Sequence, residues 1–403
     1  MRIYDKITPE GTKDVLFEQC EAKRRVGRKL SKFFRNRGFD EVMTPGLEFY
    51  DVFYSNATYF PQETMYKLTD SKSRLLVMRP DCTIPIARLT GTRLSGLPKP
   101  IRLYYDQNIY RNNPTMKGSS DEQSQMGVEL IGVSSLKADL EVLELAASSL
   151  ELCGIENFRL EICHIGFFKA LMENLVTDSR TKELVRELVE AKNYAALGDA
   201  LSNVKPCPAV EALKKLPGLF GTAEVIEQAA TLIDDRNVAG ILEDLATTYK
   251  HLQALGLGDK VIVDLGLVNQ AEYYTGIIFR GYVAGIGEPV LSGGRYDSLM
   301  GDFGDGQAAT GFAVNVDLVS RVLLEQGNIM MPKTEVLVYA AKEYSTKAFK
   351  EIAQLTEQGI RCEYSVFNTL EQSKQYAAKK GIKIIKVVGE QTEEIILQGG
   401  EQV

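Results

Sequence analysis

The sequence lacks several features that would assign it to a broad class at once. No stretch approaches the roughly 18 consecutive apolar residues that a membrane-spanning helix needs, and the start, MRIYDKITPEGTKD, has no apolar signal core. The six cysteines include no CxxC pair, and two histidines cannot form a histidine-rich metal site. We therefore expect a cytoplasmic protein with free thiols, no bound metal and no membrane partner.

An excess of positive charge is also missing. The chain has 47 lysines and arginines against 54 aspartates and glutamates, a net charge of −7. Because basic side chains that neutralise phosphates dominate nucleic-acid binding, this balance disfavours a nucleic-acid partner. Residues 335–403 contain ten acidic and nine basic residues, so this part offers no strong hold on a polyanion. We expect no binding of tRNA.

The common phosphate-binding and hydrolase motifs do not occur. The sequence contains no GxxxxGK[ST], no GxGxxG after a predicted strand and no GxSxG, so phosphate-loop, dinucleotide and serine-hydrolase functions have no support. The chemistry of this chain must therefore lie in other patterns.

The chain is long enough for more than one core, with 403 residues of which 44% are hydrophobic. Apolar residues at helical spacing predict an amphipathic helix over 17–37, and Gly38 follows as a stop. Short apolar runs predict strands that form an antiparallel sheet at 39–44, 75–78, 101–105 and 127–131.

The pattern changes twice along the chain. From about residue 167 to 256 it is helical, and strands resume at VIVDL, which indicates a helical insertion within a sheet domain. After a boundary near 331–333, strands and helices alternate to the end, which predicts a small, mostly parallel α/β domain. The predicted fold class is α+β.

Four stretches place polar residues inside otherwise apolar strands. Each one puts a charge or an amide where a core residue could lie, and the last contains two adjacent tyrosines that we expect on a strand. The stretches are MRPDCTIPIARL (78–89), YYDQNIYRNNPTMKG (104–118), DEQSQMGVELIG (121–132) and VDLGLVNQAEYYTGIIFRGY (263–282).

These stretches resemble, in order and spacing, the core of class II histidyl-tRNA synthetases over roughly residues 5–330. The resemblance rests on GTKD, the helix-strand unit ending at Pro45, RPDCT, the YR at 110–111, QMGVELIG, YYTGIIF, SGGRYDSLMGDFG and TGFAVNVDL. It implies a six-stranded antiparallel sheet with flanking helices and dimerisation through the Pro45 region. It also implies a core of 1–166 and 257–330, a helical insertion of 167–256, and a C-terminal domain of 333–403 similar to a shortened anticodon-binding domain.

The departures from that family concern its ATP chemistry. An arginine of the synthetases' Arg-Gly-Leu-Asp run works in adenylate formation, but the aligned residues here are 269–272, NQAE. A second arginine, which holds ATP phosphates, corresponds to Leu318, and the run after Arg111 is the uncharged Asn112-Asn113-Pro114. Loss of one preorganised charge-stabilising group typically lowers a rate on the order of 10²–10³-fold. We therefore expect no adenylate formation.

The amino-acid side of the pocket remains. Carboxylates and an amide can bind an ammonium group, while a carboxylate and a phenol can bind both imidazole nitrogens. The expected histidine-binding residues are Asp81, Thr83, Arg111, Gln125, Glu129, Tyr273 and Tyr274.

A synthetase-like core that keeps this pocket without the ATP chemistry resembles the regulatory subunits of short-form ATP phosphoribosyltransferases. The resemblance implies a non-catalytic chain without a cofactor that assembles with a separate catalytic subunit in a hetero-octamer. In that family the subunit is needed for full activity and for feedback inhibition by histidine of the first step of histidine biosynthesis.

Other interpretations stay open. The chain could be an active histidyl-tRNA synthetase, another amino-acid ligase or a stand-alone histidine sensor. The tyrosine pair could pack in an ordinary core, and Arg111 and Glu129 could form a buried ion pair. The run GGRYD at 293–297 could be a tight turn with a structural Arg-Asp pair.

Overall fold

The computed structural model describes residues 4, 6–54, 62–112, 120–268, 273–327 and 329–397. The chain divides into two units, one that ends at Ile329 and one that begins at Met330. Among the helices in these ranges, none combines the length and the apolar character needed to cross a membrane.

The first part of the chain contributes one long helix, several strands and a second long helix. In order, its elements are α1 (Phe17–Asn36), β1 (Asp40–Glu41), β2 (Leu47–Phe49), α2 (Asp51–Tyr54), β3 (Lys67–Thr69), β4 (Leu75–Met78), α3 (Thr83–Thr92), β5 (Ile101–Tyr110), β6 (Glu122–Ile131), α4 (Leu136–Cys153) and β7 (Phe158–His164).

The middle of the chain is mostly helical, and the strands then resume. The elements between β7 and the next long strand are α5 (Ile165–Glu173), α6 (Ser179–Glu190), α7 (Tyr194–Ser202), α8 (Pro208–Lys215), β8 (Phe220–Gly221), α9 (Glu224–Ala230) and α10 (Arg236–Ala254). They are followed by β9 (Val261–Asp264), β10 (Ile277–Val283), β11 (Leu291–Arg295), α11 (Asp297–Gly301), β12 (Ala309–Asn315) and α12 (Val316–Glu325).

A nine-stranded sheet organises this unit, in the order β1-β5-β6-β12-β11-β10-β7-β9-β8. Its six central strands, from β5 to β7, pair antiparallel throughout, as expected from the sequence. The expected six strands are extended at both edges, because β1 pairs parallel to β5, β9 pairs parallel to β7, and β8 pairs with β9. The predicted strand at 39–44 is only two residues long and pairs parallel. The predicted strand at 75–78 forms as β4 but lies in a separate antiparallel sheet, β2-β4-β3, so neither joins the central antiparallel sheet as expected.

Helices cover one face of this sheet. The predicted helix is confirmed as α1, whose residues Ala22, Val26, Leu30 and Phe34 recur every four positions and are fully buried. The ring of Phe34 contacts Tyr104 on β5 and Phe312 on β12, with centroids 5.9 and 6.1 Å away. The opposite face of the central strands is therefore the one available for a binding site.

The second unit has the predicted α/β character. Its elements are β13 (Val336–Ala340), α13 (Ser345–Glu357), β14 (Cys362–Tyr364), α14 (Leu370–Lys380), β15 (Ile384–Val388) and β16 (Thr392–Ile396). Three strands are parallel in the order β14-β13-β15, and β16 adds antiparallel to β15.

Candidate functional site

The face of the central sheet that the long helices leave uncovered carries the polar residues singled out in the sequence. Cross-strand partners point to the same side of a sheet, so the strand register aligns side chains in rows. A row that we call the central row runs across β5, β6, β12, β11, β10 and β7 through Tyr105, Gly127, Ala313, Ser292, Arg280 and Glu161. The next row contains Glu129, Gly311, Gly294 and Ile278.

Glu129 is the buried carboxyl group at the centre of this face, with 1% of its surface exposed. Its Oε1 accepts a hydrogen bond from Thr83 Oγ1 at 2.9 Å, and its Oε2 accepts one from Tyr296 Oη at 2.5 Å. Burial raises the pKa of Glu129 to about 8, although the two hydroxyl donors lower it. Glu129 is therefore mostly protonated at neutral pH.

The start of α3 brings Asp81 and Thr83 to the pocket. Asp81 Oδ1 accepts from the backbone N–H of Ile84 at 3.0 Å, so this carboxyl group also satisfies a free donor in the first turn of the helix. Arg111 donates to the carbonyl of Pro80 at 2.7 Å, and its guanidinium lies 3.8 Å from Asp81 Oδ2. Burial raises the pKa of Asp81, and the nearby Arg111 charge opposes that shift. Glu129, in contrast, accepts its hydrogen bonds from the hydroxyls of Thr83 and Tyr296.

Gln125 lies on the same face of β6 as Glu129, opposite Gln107 and Asn315. Its Oε1 atom is buried and has no hydrogen-bond partner among the described residues. A buried carbonyl oxygen without a donor destabilises the folded state by about 1–3 kcal/mol. This atom is therefore suited to accept a hydrogen bond from a ligand.

The two predicted tyrosines are buried beside Glu129, with ring centroids 4.8 Å apart. The expectation that they lie on a strand is wrong, because β10 begins only at Ile277. They precede it in a segment whose Thr275 N–H donates to the Arg295 carbonyl. Burial raises the pKa of Tyr274 above its ordinary value, and the nearby carboxyl groups of Asp81 and Glu129 raise it further.

Tyr105 and Tyr296 also lie at this site, although they were not among the site residues expected from the sequence. Tyr296 bonds Glu129 directly, and its ring meets that of Tyr273 edge-on at 6.0 Å. The phenol of Tyr105 lies over Gly127, since a Cβ at Gly127 would be 2.5 Å from its oxygen. The run GGRYD was a usable signal for Tyr296. The expected tight turn is wrong, because residues 293–295 belong to strand β11. Arg295 does form the expected structural pair with Asp297, at 3.1 Å, and it forms a further one with Asp139 at 2.9 Å.

A cavity of about 850 Å³ lies at the ends of β6 and β12, where Leu318 and Asn112 are among its lining residues. Its basic lining residues are Lys13, Lys23 and Arg321. Two of them are already in ion pairs, Lys23 with Asp317 at 2.7 Å and Arg321 with Glu325 at 2.8 Å. Four acidic residues also line this cavity, so it offers little attraction to polyphosphate. Residues 269–272, where the synthetases carry their arginine, lie outside the described residues.

The described part of the chain contains no cluster of three or more His, Cys, Asp or Glu side chains that could hold a metal ion. The donors of the candidate site are instead carboxyl, amide, phenol and guanidinium groups. Such donors suit a small polar ligand with both charges, such as an amino acid.

Comparison with known proteins agrees with this geometry. The family model for histidyl-tRNA synthetase matches residues 11–319. The ATP phosphoribosyltransferase regulatory subunit of Clostridium kluyveri is 42% identical over 391 residues, which cover 96% of this chain and 100% of that protein. The protein of the same name from Clostridium botulinum strain Langeland is 39% identical, over 97% of this chain and 94% of its own.

A solved structure gives the same result. The ATP phosphoribosyltransferase regulatory subunit/histidyl-tRNA synthetase from Bacillus halodurans superposes with a TM-score of 0.83 at 29% identity, covering 93% of this chain and 97% of that one. These matches extend over nearly the whole chain, so they include the second unit as well as the sheet. The chain therefore belongs to the family of ATP phosphoribosyltransferase regulatory subunits, which share the histidyl-tRNA synthetase fold.

Proposed function

We propose that this chain is the non-catalytic regulatory subunit of a short-form ATP phosphoribosyltransferase. It assembles with the catalytic subunit in a hetero-octamer, raises the activity of that subunit and mediates histidine feedback inhibition of the first step of histidine biosynthesis. The support comes from the names of its relatives and from the cavity at Leu318, where carboxylates outnumber basic side chains.

We further propose that the pocket around Glu129 binds free histidine. The observation that carries this proposal is the presence, on one face of β6, of the buried, protonatable carboxyl group of Glu129 and the buried amide oxygen of Gln125, which has no donor among the described residues. Gln125, Asp81 and Thr83 would bind the ammonium group, while Glu129 and Tyr274 would bind the two imidazole nitrogens. Arg111 would hold Asp81, and Tyr273 would form the wall next to Tyr274.

Mixing this chain with a short-form catalytic subunit tests the proposal. Formation of phosphoribosyl-ATP should rise when the chain is added and should fall when histidine is added to the mixture. The chain alone should show no histidine-dependent exchange of pyrophosphate into ATP, which an active synthetase would catalyse. An unchanged rate with the catalytic subunit, and no co-purification with it, would favour the stand-alone sensor instead.

Self-association is the second part of the proposal. The small sheet β2-β4-β3 has one face, here called the apolar outer face, whose residues pair across the strands and are never fully buried: Leu47, Phe49, Leu68, Leu76 and Met78. Leu47 and Phe49 are 47% and 44% exposed. A contiguous exposed apolar patch of this kind favours a protein interface. It lies directly after Pro45, where the family resemblance predicts the dimer contact, so we propose that a second copy covers it.

We expect the wild-type chain to sediment as a dimer at micromolar concentration and Leu47→Lys to sediment as a monomer. The substitution places a charge in the apolar contact, which should weaken association by about tenfold or more. Leu255→Lys is the matched control, because Leu255 is 57% exposed and follows α10 in the helical insertion. A monomeric wild type, or equal dimerisation of both variants, would contradict this interface.

A further inference from the structure

One cation of the central row, Arg280, belongs to no motif that assigns it a role. Arg280 lies on β10, paired with Ser292 on one side and Glu161 on the other. Along the row towards Glu129's strand come the small residues Ser292, Ala313 and Gly127. Ser292 and Ala313 are only half-buried, whereas Phe312, which points to the opposite face, is buried. Arg280 thus lies beside a part of the sheet surface that is formed by small side chains.

The guanidinium of Arg280 is only partly used. Within the described residues its sole hydrogen bond runs from Nη2 to the carbonyl of Val268, at 3.0 Å. Its cross-strand neighbour Glu161 has a buried Oε2 that lacks a hydrogen-bond partner in the same set. Burial raises the pKa of Glu161, which favours its neutral form. The charge of Arg280 also acts on Glu161, whose pKa it lowers against the larger effect of burial, but the described residues give the guanidinium no hydrogen bond besides the one to Val268.

Arg280 is also close enough to the pocket to act there. Its positive charge lowers the pKa of Tyr274, against the larger upward effect of burial. The ring of Tyr274 lies over Gly294, because a Cβ at Gly294 would be 2.9 Å from Tyr274 Cδ1. Gly294 pairs with Ile278, two residues before Arg280 on the same strand and the same face. Two residues along a strand span about 7 Å, so Arg280 lies about 7 Å along β10 from Ile278, the strand partner of Gly294 beneath the Tyr274 ring.

Two other cations at this site already have protein partners, because Lys169 donates to the Tyr274 carbonyl at 2.7 Å and Arg111 faces Asp81. Asp81 and Glu129 are acidic, and Arg111 also donates to the Pro80 carbonyl. An amino acid brings a carboxylate as well as an ammonium group, and a buried carboxylate needs a charged donor. A guanidinium can supply two parallel hydrogen bonds to it.

We propose that Arg280 binds the carboxylate of the amino acid in this pocket and so selects ligands that carry one. The inference rests on the proposed histidine pocket and adds the residue that recognises the end of the ligand opposite the imidazole. Residues 269–272 (NQAE) contain no cation. In this proposal, Arg280 on strand β10 supplies the positive charge instead.

Calorimetric binding of histidine and of histamine, which has the imidazole and the amine but no carboxylate, tests the proposal. Wild-type protein should bind histidine far more tightly than histamine. Arg280→Met, which keeps an apolar stem of similar length, should weaken histidine binding by about tenfold to a hundredfold. It should leave histamine binding within about twofold of wild type, so that the preference between the two ligands collapses.

Two further variants make the result decisive. Arg280→Gln keeps a donor for the Val268 carbonyl and should lose the preference as well, which covers the case in which Arg280→Met melts at a lower temperature. Arg159→Met is the matched control: Arg159 is exposed on the same face of β7, two residues before Glu161, and its loss should change neither ligand.

The outcomes separate this inference from the proposed function. Unchanged histidine affinity in Arg280→Met and Arg280→Gln overturns the role of Arg280 while the histidine pocket stands. An equal loss of both ligands would mean that Arg280 only supports the fold, and it also overturns the proposal. Wild-type protein that binds no histidine at millimolar concentration overturns the pocket itself, and the carboxylate site with it.

Discussion

Gly311→Ala is expected to destabilise the first unit by about 3 kcal/mol, at the upper end of the usual range for inserting a methyl group into a packed core. A Cβ at this position would lie 1.9 Å from Glu129 Oε2 and 2.4 Å from the carbonyl oxygen of Val128. Glu129 could move aside, but the Val128 carbonyl belongs to the neighbouring strand β6 and cannot move without breaking the pairing of β6 with β12. The substitution therefore strains the sheet itself.

Urea unfolding, followed by circular dichroism, measures this effect. Gly301→Ala is the matched control, since no atom lies within 4 Å of a Cβ at Gly301 and the residue ends a helix. The control should change the free energy of unfolding by less than about 0.5 kcal/mol. If Gly311→Ala were as stable as this control, the close approach of β12 to Glu129 would be wrong.

Glu129→Gln and Tyr274→Phe are expected to weaken histidine binding by about tenfold to a hundredfold each. A protonated Glu129 can pass its proton to a bound imidazole and form a charge-assisted hydrogen bond, which glutamine cannot do. Phenylalanine at position 274 leaves the other ring nitrogen without a partner. Both variants should still assemble with the catalytic subunit and activate it, but inhibition should require much more histidine. By linkage, they should also lose the effect of histidine on substrate affinity.

The control for this pair is Glu122→Gln. Glu122 lies on the same strand, β6, but seven residues earlier and on the opposite face, where it accepts from Asn108 at 2.7 Å. Thermal unfolding provides an independent readout, because histidine should raise the melting temperature of wild type and of Glu122→Gln, whereas leucine and lysine should not. Wild-type inhibition in both site variants would place the inhibitory histidine elsewhere in the complex.

Glu129→Gln should also change how stability depends on pH. The pKa of this carboxyl group is about 8 in the folded chain, against an ordinary value of 4.5. Between these values the folded chain keeps a proton that the unfolded chain has lost, so raising the pH favours unfolding by at most about 1.4 kcal/mol for each pH unit. The variant lacks this contribution. Its stability relative to wild type should therefore rise between about pH 5 and pH 8, and a constant difference would show that Glu129 is ionised throughout.

Several parts of the fold could be predicted because they have strong periodic patterns. Helix α1, strand β4 and the alternating elements of the second unit are confirmed close to their expected bounds. The strands β1 and β8 are two residues long, so they have no pattern to detect, and pairing with a neighbour alone defines them. Strand β8 in particular lies inside a segment that was predicted to be helical.

The candidate site was harder to predict than the fold, because it depends on the register between strands that are distant in the sequence. Motifs could indicate Glu129 and Gln125, which lie on one strand at an even spacing and so share a face. The positions of Arg280 and Tyr296 relative to Glu129 depend on the register of β10, β11 and β12, and a shift of one residue would turn each side chain to the other face. Long-range register is a tertiary property that one sequence does not display.

The placement of the segment between β7 and β9 bears on the entropic cost of its length. These two strands are parallel neighbours, with Leu160 opposite Val261 and Ile162 opposite Val263, so the intervening residues 165–260 leave and re-enter the sheet at adjacent positions. The entropic cost of closing such a loop grows only with the logarithm of its length, about 0.6 kcal/mol for each doubling. A longer segment at this position therefore adds little to the entropic cost of closing the loop, while the strands that carry the pocket keep their alignment.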